Sequence, residues 1–315
     1  MQGLICLTAR STTTPIPAGL LGILGRPTMF EGADRGATFG TLWATDARYL
    51  NDSEEVIYGT KIMVEELERQ ADASGQSPTV RDQLLTLADD VRKNRFDMEW
   101  HAKAKRAVPF VACLCQEGDL LSQWRGYGDG GGGYAIGFSP EVLTEFYTVN
   151  DSMIQQDDGF GLASTPLLRG PGKVIYGQSK TRRYMAKFAQ ETSEGMRLVE
   201  AGVKGYSWDI YRLQALTTLA GVKHNAFREE NEWRFIEHDS GLGKAEFRAG
   251  GIGLIPYIKL YFPITNGTHG DPPIREIVVG PGGDRKLRAE ALKRLLRQIG
   301  IPDTQVRLSK APFRG

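Results

Sequence analysis

The sequence is poor in cysteine and has no long apolar run. Three cysteines in 315 residues cannot build a disulfide framework. Residues 1–10 hold one basic residue, at their end, and no long apolar core, so no secretory signal peptide is predicted. No stretch approaches the roughly 18 apolar residues that a membrane-spanning helix needs. We therefore expect a cytoplasmic protein that has no membrane partner.

A large net charge of one sign is also missing. The chain has 39 basic and 38 acidic residues, which gives a net charge of +1. A protein that binds nucleic acids by general electrostatic attraction is normally more basic than this. Hydrophobic residues make up 41% and charged residues 24% of the chain, a globular composition that excludes extensive disorder.

Familiar catalytic and metal-binding motifs are absent or out of context. Residues 128–133 match the dinucleotide fingerprint G-x-G-x-x-G, but that motif opens a helix, whereas these glycines lead into a predicted strand. The glycines can still hold backbone close to a ligand. Cys113 and Cys115 supply too few ligands for zinc, and the four histidines lie far apart. We therefore predict no metal site and no Rossmann-type domain.

The order of strands and helices predicts an α+β fold with a mixed, mainly antiparallel sheet flanked by helices. We predict an irregular segment over residues 1–41 and a single domain over residues 42–315, with a surface insertion at about 150–172. Predicted strands cover residues 42–45, 109–115, 134–138, 174–176, 232–237, 257–262, 274–279 and 305–309. Predicted helices cover residues 53–71, 79–106, 140–147, 179–201, 207–224 and 284–298.

The segment 122–128 has the residue types of a binding loop. Trp124, Arg125 and Tyr127 stand beside flexible glycines. Aromatic faces and a guanidinium group next to permissive backbone suit a planar or phosphorylated ligand. The two aromatic residues are equally well explained as anchors of the core. Both interpretations remain open at this point.

The segment 223–235 combines acids and bases around a predicted strand. Glu230 and Glu232 alternate onto one strand face, and two aromatic residues take the other. An acid pair flanked by Lys223 and Arg234 can orient a sugar hydroxyl or stabilise positive charge that develops on a sugar. The alternative is an edge strand whose charges form salt bridges in solvent.

Several short motifs lie in a characteristic order along the chain. They are LWATDARYLND at 42–52 with Glu55, QWRGY at 123–127 with Gly137 and Phe138, Phe227 with Glu230, Glu232 and Arg234, IVVGP at 277–281, and SKAPFR at 309–314. Together they resemble a bacterial family associated with defence and abortive infection, the domain of unknown function family 2971. The resemblance spans about residues 20–314.

The order of motifs in that family resembles the order in ADP-ribosyltransferase-like toxins and defence proteins. This resemblance implies a split sheet. On this resemblance Tyr127 stacks on or orients the nicotinamide of NAD, Glu232 holds a ribose hydroxyl and stabilises the oxocarbenium-like transition state, and Glu230 orients the acceptor. NAD is the implied substrate, and the acceptor is a macromolecule, protein or nucleic acid. The implied contacts to NAD come from Trp124, Arg125, Asn51, Asp52, Lys223 and Arg234.

The resemblance therefore implies ADP-ribosyl transfer in bacterial defence or toxicity. The rival interpretation is a non-catalytic defence protein in which residues 124–127 bind a nucleotide or a phage component. Transfer requires Tyr127 and Glu232 in one cleft, whereas binding requires only that the glycine loop be exposed.

Residues 11–16 lack a counterpart of the family's opening strand. That strand, Leu-(Tyr or His)-His-Tyr-Thr, normally precedes the Gly-Leu-Leu-Gly-Ile helix found here at 19–23. Codons for Leu-His-His-Tyr-Thr-Asp, read one frame out, give the Ser-Thr-Thr-Thr-Pro-Ile of residues 11–16. We therefore expect an out-of-frame segment up to about residue 17, poor packing of residues 1–17, and activity weakened by loss of the first site strand.

Overall fold

The computed structural model describes residues 5–9, 39–50, 54–98, 105–106, 108–127, 133–140, 143, 170–204, 206–238, 245–250, 253–263 and 273–312. The helices in these ranges are α1 Glu54–Ala71, α2 Pro78–Arg92, α3 Leu121–Tyr127, α4 Gln178–Glu200, α5 Trp208–Ala220 and α6 Arg285–Gln298. The strands are β1 Ile5–Ala9, β2 Phe39–Asp46, β3 Asp97–Met98, β4 Lys105–Arg106, β5 Pro109–Cys115, β6 Tyr134–Phe138, β7 Gly172–Lys173, β8 Ile175–Tyr176, β9 Val222–Lys223, β10 Glu232–His238, β11 Glu246–Gly250, β12 Gly253–Pro263, β13 Ile274–Val279 and β14 Gln305–Leu308. None of the described helices has the length and apolar character needed to cross a bilayer.

Ten strands form one large sheet. Eight of them follow the order β11-β12-β2-β5-β1-β6-β13-β14, and β10 joins the sheet between β5 and β7. Within this sheet the pairs are antiparallel except β13 with β14. The architecture confirms the predicted α+β fold with a mainly antiparallel sheet.

The sheet divides at β5. One edge of β5 pairs with β10 along its whole length, from Cys115 opposite Glu232 to Pro109 opposite His238. The other edge is shared: β2 pairs with Phe110 and Val111, and β1 pairs with Cys115. Because a strand has only two hydrogen-bonding edges, β1 and β2 diverge on the same side of β5. Residues 112–114 lie at this fork.

The alternation of side chains along β5 and β10 separates two cores. Phe110 and Phe235 point to one face and join a core that includes Leu292 of α6. Val111 points to the other face and packs with Ala220, the last residue of α5. Helices α1, α2, α4 and α5 pack together in a second large cluster. The face that carries Val111 therefore meets the helical layer at α5.

Strands β5, β6 and β13 have the predicted bounds, but helix α2 is much shorter than the predicted helix over 79–106. It ends at Arg92. Asn94 adopts a left-handed conformation (φ 51°), and the N–H of Arg95 bonds back to the carbonyl of Asp90 at 2.8 Å. This hydrogen-bond pattern stops a helix. The prediction is therefore wrong beyond Arg92, where the short strands β3 and β4 follow.

Three further predictions differ from the structure. Most of the predicted loop at 122–128 belongs to helix α3. The predicted helix over 207–224 ends at Ala220, and the chain then pairs with β8 through β9. Within the segment predicted to be irregular, residues Ile5–Ala9 form β1, whose backbone pairs with both β5 and β6.

Three other predictions fall mostly on residues that the structure does not describe. They are the out-of-frame segment at residues 11–16, the helix at 140–147 and the insertion at 150–172. Of these, residues 140, 143 and 170–172 are described.

Candidate functional site

Residues 222–238 bring four charged side chains together. Strand β9 holds Lys223 in a short parallel pair with β8. A 3-10 helix follows over Asn225–Glu230. Asn231 then adopts a left-handed conformation (φ 42°, ψ 53°) and turns the chain into β10. The turn places Glu230, at the end of the 3-10 helix, near Glu232, at the start of the strand.

We name Lys223, Glu230, Glu232 and Arg234 the Glu232 cluster. Arg234 donates from Nε to Oε1 of Glu232 at 3.0 Å and from Nη2 to Oε2 at 2.9 Å. The Nζ atom of Lys223 lies 2.7 Å from Oε2 of Glu230 and 3.2 Å from Oε2 of Glu232. The side chain of Glu232 is 6% exposed and that of Glu230 is 16% exposed. Glu230 is therefore the more accessible carboxylate.

Glu232 remains ionised although it is buried. Burial alone would raise its pKa, but the positive charges of Arg234 and Lys223 outweigh burial and lower the pKa. Cys113, opposite Arg234 on β5, lies near enough to this carboxylate to lower its pKa further. Two donors of Arg234 and one of Lys223 occupy three of the four acceptor positions of the carboxylate. A ligand therefore competes with these donors for the carboxylate oxygens.

Tyr127, the last residue of α3, lies at the same site. Burial and then the negative charge of Glu230 raise its pKa, and Glu232 adds a smaller effect in the same direction. The phenol therefore lies within range of both carboxylates. The pKa of the Cys113 thiol is raised well above its ordinary value, first by burial and then by Glu232. This thiol stays protonated at neutral pH and is a poor nucleophile.

Sequence reasoning missed Tyr176, a residue that positions Glu232. The hydroxyl oxygen of Tyr176 accepts the backbone N–H of Glu232 at 3.0 Å. Arg234 donates from Nη1 to the carbonyl of Ala220 at 2.8 Å, which links β10 to the end of α5. Tyr176 lies on β8, far from β10 in sequence, so no local pattern could have revealed its contact. Cys113 was noticed as half of a C-x-C pair but not as a partner of Glu232.

Trp124 and Arg125 have different surroundings although they are neighbours. The indole of Trp124 is 0% exposed and donates from Nε1 to Oδ1 of Asp119 at 2.8 Å. It packs with Ala135 and Val278 in a small core. This position fits the core-anchor interpretation, since the indole offers no surface on which a ligand could stack. Arg125 is exposed on α3.

Parts of the predicted site lie outside the described residues. Asn51 and Asp52, two of the expected NAD contacts, are among them, as is the glycine run over residues 128–132. Among the residues that are described, no group of three or more His, Cys, Asp or Glu side chains could hold a metal ion.

Comparison with known proteins gives one match. A model of the family described as "protein of unknown function (DUF2971)" matches residues 123–235. No curated protein and no solved structure gives a significant match to the chain. The matched segment runs from α3 into β10 and includes both Tyr127 and the Glu232 cluster. The chain is therefore similar to this uncharacterised family over the segment that carries the candidate site.

Proposed function

We propose that this protein transfers ADP-ribose from NAD to a macromolecular acceptor, in a bacterial defence or toxin setting. The observation that carries the proposal is that the phenol of Tyr127 lies within electrostatic range of Glu230 and Glu232, which come from a distant part of the chain. An aromatic ring beside a fixed carboxylate pair can bind a nicotinamide ring and the ribose attached to it.

Each group has a distinct part in this reaction. The bond between ribose C1′ and the nicotinamide nitrogen breaks, and its electron pair leaves with nicotinamide, which departs neutral. Positive charge develops on the ribose, and the ionised Glu232 stabilises it. The acceptor nucleophile forms the new bond to C1′, and Glu230 takes the proton of that nucleophile. Tyr127 stacks on nicotinamide and orients it.

The position of Lys223 indicates how ribose reaches Glu232. Its ammonium lies 3.2 Å from Glu232 but only 2.7 Å from Glu230. A ribose hydroxyl that donates to Oε2 of Glu232 would replace the longer of these contacts and leave the shorter one intact. Arg234 would meanwhile hold the carboxylate through Oε1. Because Glu230 is still ionised while the ribose binds, this exchange leaves no unpaired buried cation.

The divided sheet also supports the proposal. Strands β1 and β2 diverge from β5 at residues 112–114, and Cys113 at this fork lies opposite Arg234, the partner of Glu232. On our proposal this fork is the split of an ADP-ribosyltransferase-like sheet. Arg125, Asn51 and Asp52 remain the candidates for contacts to the rest of NAD.

A second candidate is a non-catalytic binding protein. The ion pairs of Glu232 favour it, because a buried carboxylate held by Arg234 and Lys223 also suits a purely structural ion cluster. In that case Arg125 and Tyr127 would recognise a nucleotide or a phage component without turnover.

Incubation of the purified protein with labelled NAD tests the first candidate against the second. The reaction is run with and without a cell lysate as the source of acceptor, and free nicotinamide is measured by chromatography. We expect nicotinamide release and transfer of the label to a macromolecule. Calorimetric binding of NAD without release would favour the binding protein. The absence of both binding and release would overturn the proposed use of NAD.

A further inference from the structure

Helix α6 carries a positive charge that the rest of the chain does not share. Its residues Arg285–Gln298 include six basic residues and one acidic residue, a net charge of +5. The whole chain has a net charge of +1, so the residues outside α6 together carry −4. Charges in water act over a Debye length of about 10 Å at 0.1 M salt. The local excess on α6 therefore governs what this surface attracts.

Two basic side chains of α6 serve the fold. Arg288 donates to the carbonyl of Gly133 at 2.7 Å and to that of Gly280 at 3.2 Å. Arg285 donates to the carbonyl of Ser309 at 3.2 Å. These bonds hold the helix against the ends of neighbouring strands, and its own residue Leu292 is buried on the inner face. The helix therefore presents its outer face rigidly.

The other four basic side chains of α6 form no comparable contacts with the described part of the chain. Lys286, Lys293, Arg294 and Arg297 are all exposed. Within the described part of the chain, none of these four side chains has a hydrogen bond or an ion pair. In the helical layer, by contrast, Arg69, Arg92 and Arg182 each contact a carboxylate. Glu290 lies on the same face of α6 and lowers its net charge by one.

Lys293 and Arg297 are one turn apart, and like charges at that spacing repel each other by a few tenths of a kcal/mol. From Lys286 to Arg297 the helix rises about 16 Å. A DNA duplex carries one negative charge per roughly 1.7 Å of its axis, so this length matches several successive phosphates. A polyanion would remove the repulsion.

We propose that the exposed face of α6 binds the phosphodiester backbone of a nucleic acid. The helix contains no aromatic residue that could stack on a base, and the proposed contacts are ionic ones to phosphates, which carry no base-sequence information. The net negative charge of the remaining chain repels phosphates and restricts binding to this face. The inference is independent of NAD chemistry and of the Glu232 cluster.

Fluorescence anisotropy tests the inference. The probes are a short labelled single-stranded RNA and a short labelled DNA duplex, and each is titrated over a range of salt concentrations. The test variant is Lys293→Glu/Arg297→Glu. The matched control is Lys180→Glu/Arg183→Glu on α4, which also reverses two exposed basic residues without a described ion pair. Contacts to four phosphates predict a slope of about −3 to −4 for log K against log salt with the duplex.

We expect the α6 variant to bind at least about tenfold more weakly than wild type at low salt, and the control to stay within about threefold. A Glu290→Lys variant should bind more tightly. The preferred probe shows whether RNA or DNA is the ligand. Equal losses in the two double variants would contradict a local site. If the wild type binds neither probe, the inference is overturned. The same holds if it binds anionic phospholipid vesicles but neither nucleic acid. Melting curves establish that the variants are folded.

Discussion

Arg234 and Glu232 stand two residues apart on β10, share one strand face, and form a bidentate ion pair in which both side chains are almost fully buried. A second bidentate pair joins Arg307 of β14 to Glu276 of β13, and there the arginine is 31% exposed. The two pairs have the same chemistry but differ in burial and in their neighbours. The second pair is therefore a matched control for the first.

Removal of Arg234 should be far more costly than removal of Arg307. Arg234→Met leaves the buried carboxylate of Glu232 without its main partner, and we expect a loss of about 3–5 kcal/mol in the free energy of unfolding. Arg307→Met also removes a partner of Asp119, but Arg307 is 31% exposed, so water can take its place and the loss should be about 1–2 kcal/mol. Urea titration of both variants measures the difference. Losses of equal size would show that burial does not set the energy of the Arg234 pair.

Trp124 should behave as a core residue. Trp124→Ala is expected to destabilise the protein by about 3–5 kcal/mol, because it opens a cavity beside Ala135 and Val278. Trp124→Phe keeps most of the ring volume and should cost much less, chiefly through the lost hydrogen bond to Asp119. A loss below about 1 kcal/mol for the alanine variant, measured by denaturant titration, would return Trp124 to the candidate ligand contacts.

Two neighbours at the end of β10 make stability depend on pH in opposite directions. Burial raises the pKa of Glu237 to about 7 from 4.5. Its contribution to stability is therefore fully present below pH 4.5 and is lost as the pH rises through about 7. Burial lowers the pKa of His238 to about 4 from 6.5. Its contribution is present above pH 6.5 and is lost as the pH falls towards about 4.

Glu237→Gln removes the first dependence. The difference in unfolding free energy between this variant and wild type should change in favour of the variant by on the order of 3 kcal/mol as the pH rises from acidic to mildly alkaline. Urea titration at each pH measures this difference. His238→Gln should instead weaken the loss of stability on the acid side, although it also alters the 2.7 Å contact with Thr217. Parallel stability profiles for wild type and Glu237→Gln would contradict the assigned titration.

Tyr127 is expected to act through its ring. On the proposed function, Tyr127→Phe keeps the surface that stacks on nicotinamide and should retain nicotinamide release within about threefold, whereas Tyr127→Ala should lose about tenfold or more. The ratio of the two rates is the measurement. If Tyr127→Phe is as slow as Tyr127→Ala, the hydroxyl group and not the ring is the functional part.

Local patterns were sufficient for the elements with strong periodicity. The apolar run of β5 and the alternation in β10 gave their strands, and the start of α2 follows from Ser77, whose hydroxyl oxygen accepts the N–H of Val80. The sequence also singled out Tyr127, as an aromatic residue near Arg125 and flexible glycines, and Glu230 and Glu232, as an acid pair flanked by bases. These features depend on neighbours along the chain, which a single sequence shows directly.

Features set by distant contacts could not be predicted. Helix α3 begins just after Asp119, whose carboxylate accepts hydrogen bonds from Trp124 and from the backbone of Lys310. Nothing near residue 120 indicates that partner. The C-terminal end of α2 depends on a left-handed Asn94, a conformation that many asparagines do not adopt. The donors to the carboxylate of Glu232 come from the separate strands β9 and β10, and their convergence is a property of the folded chain.

The proposed function is tested most directly by the rate of nicotinamide release. We compare this rate for the variants Glu232→Gln and Glu276→Gln. Both variants neutralise a carboxylate that forms a bidentate pair with arginine, but of the two only Glu232 affects the pKa of Tyr127. With both proteins shown to be folded by circular dichroism, we expect Glu232→Gln to lose about 10²-fold or more in rate and Glu276→Gln to keep the wild-type rate within about twofold. Wild-type nicotinamide release by Glu232→Gln would contradict a catalytic role for the carboxylate.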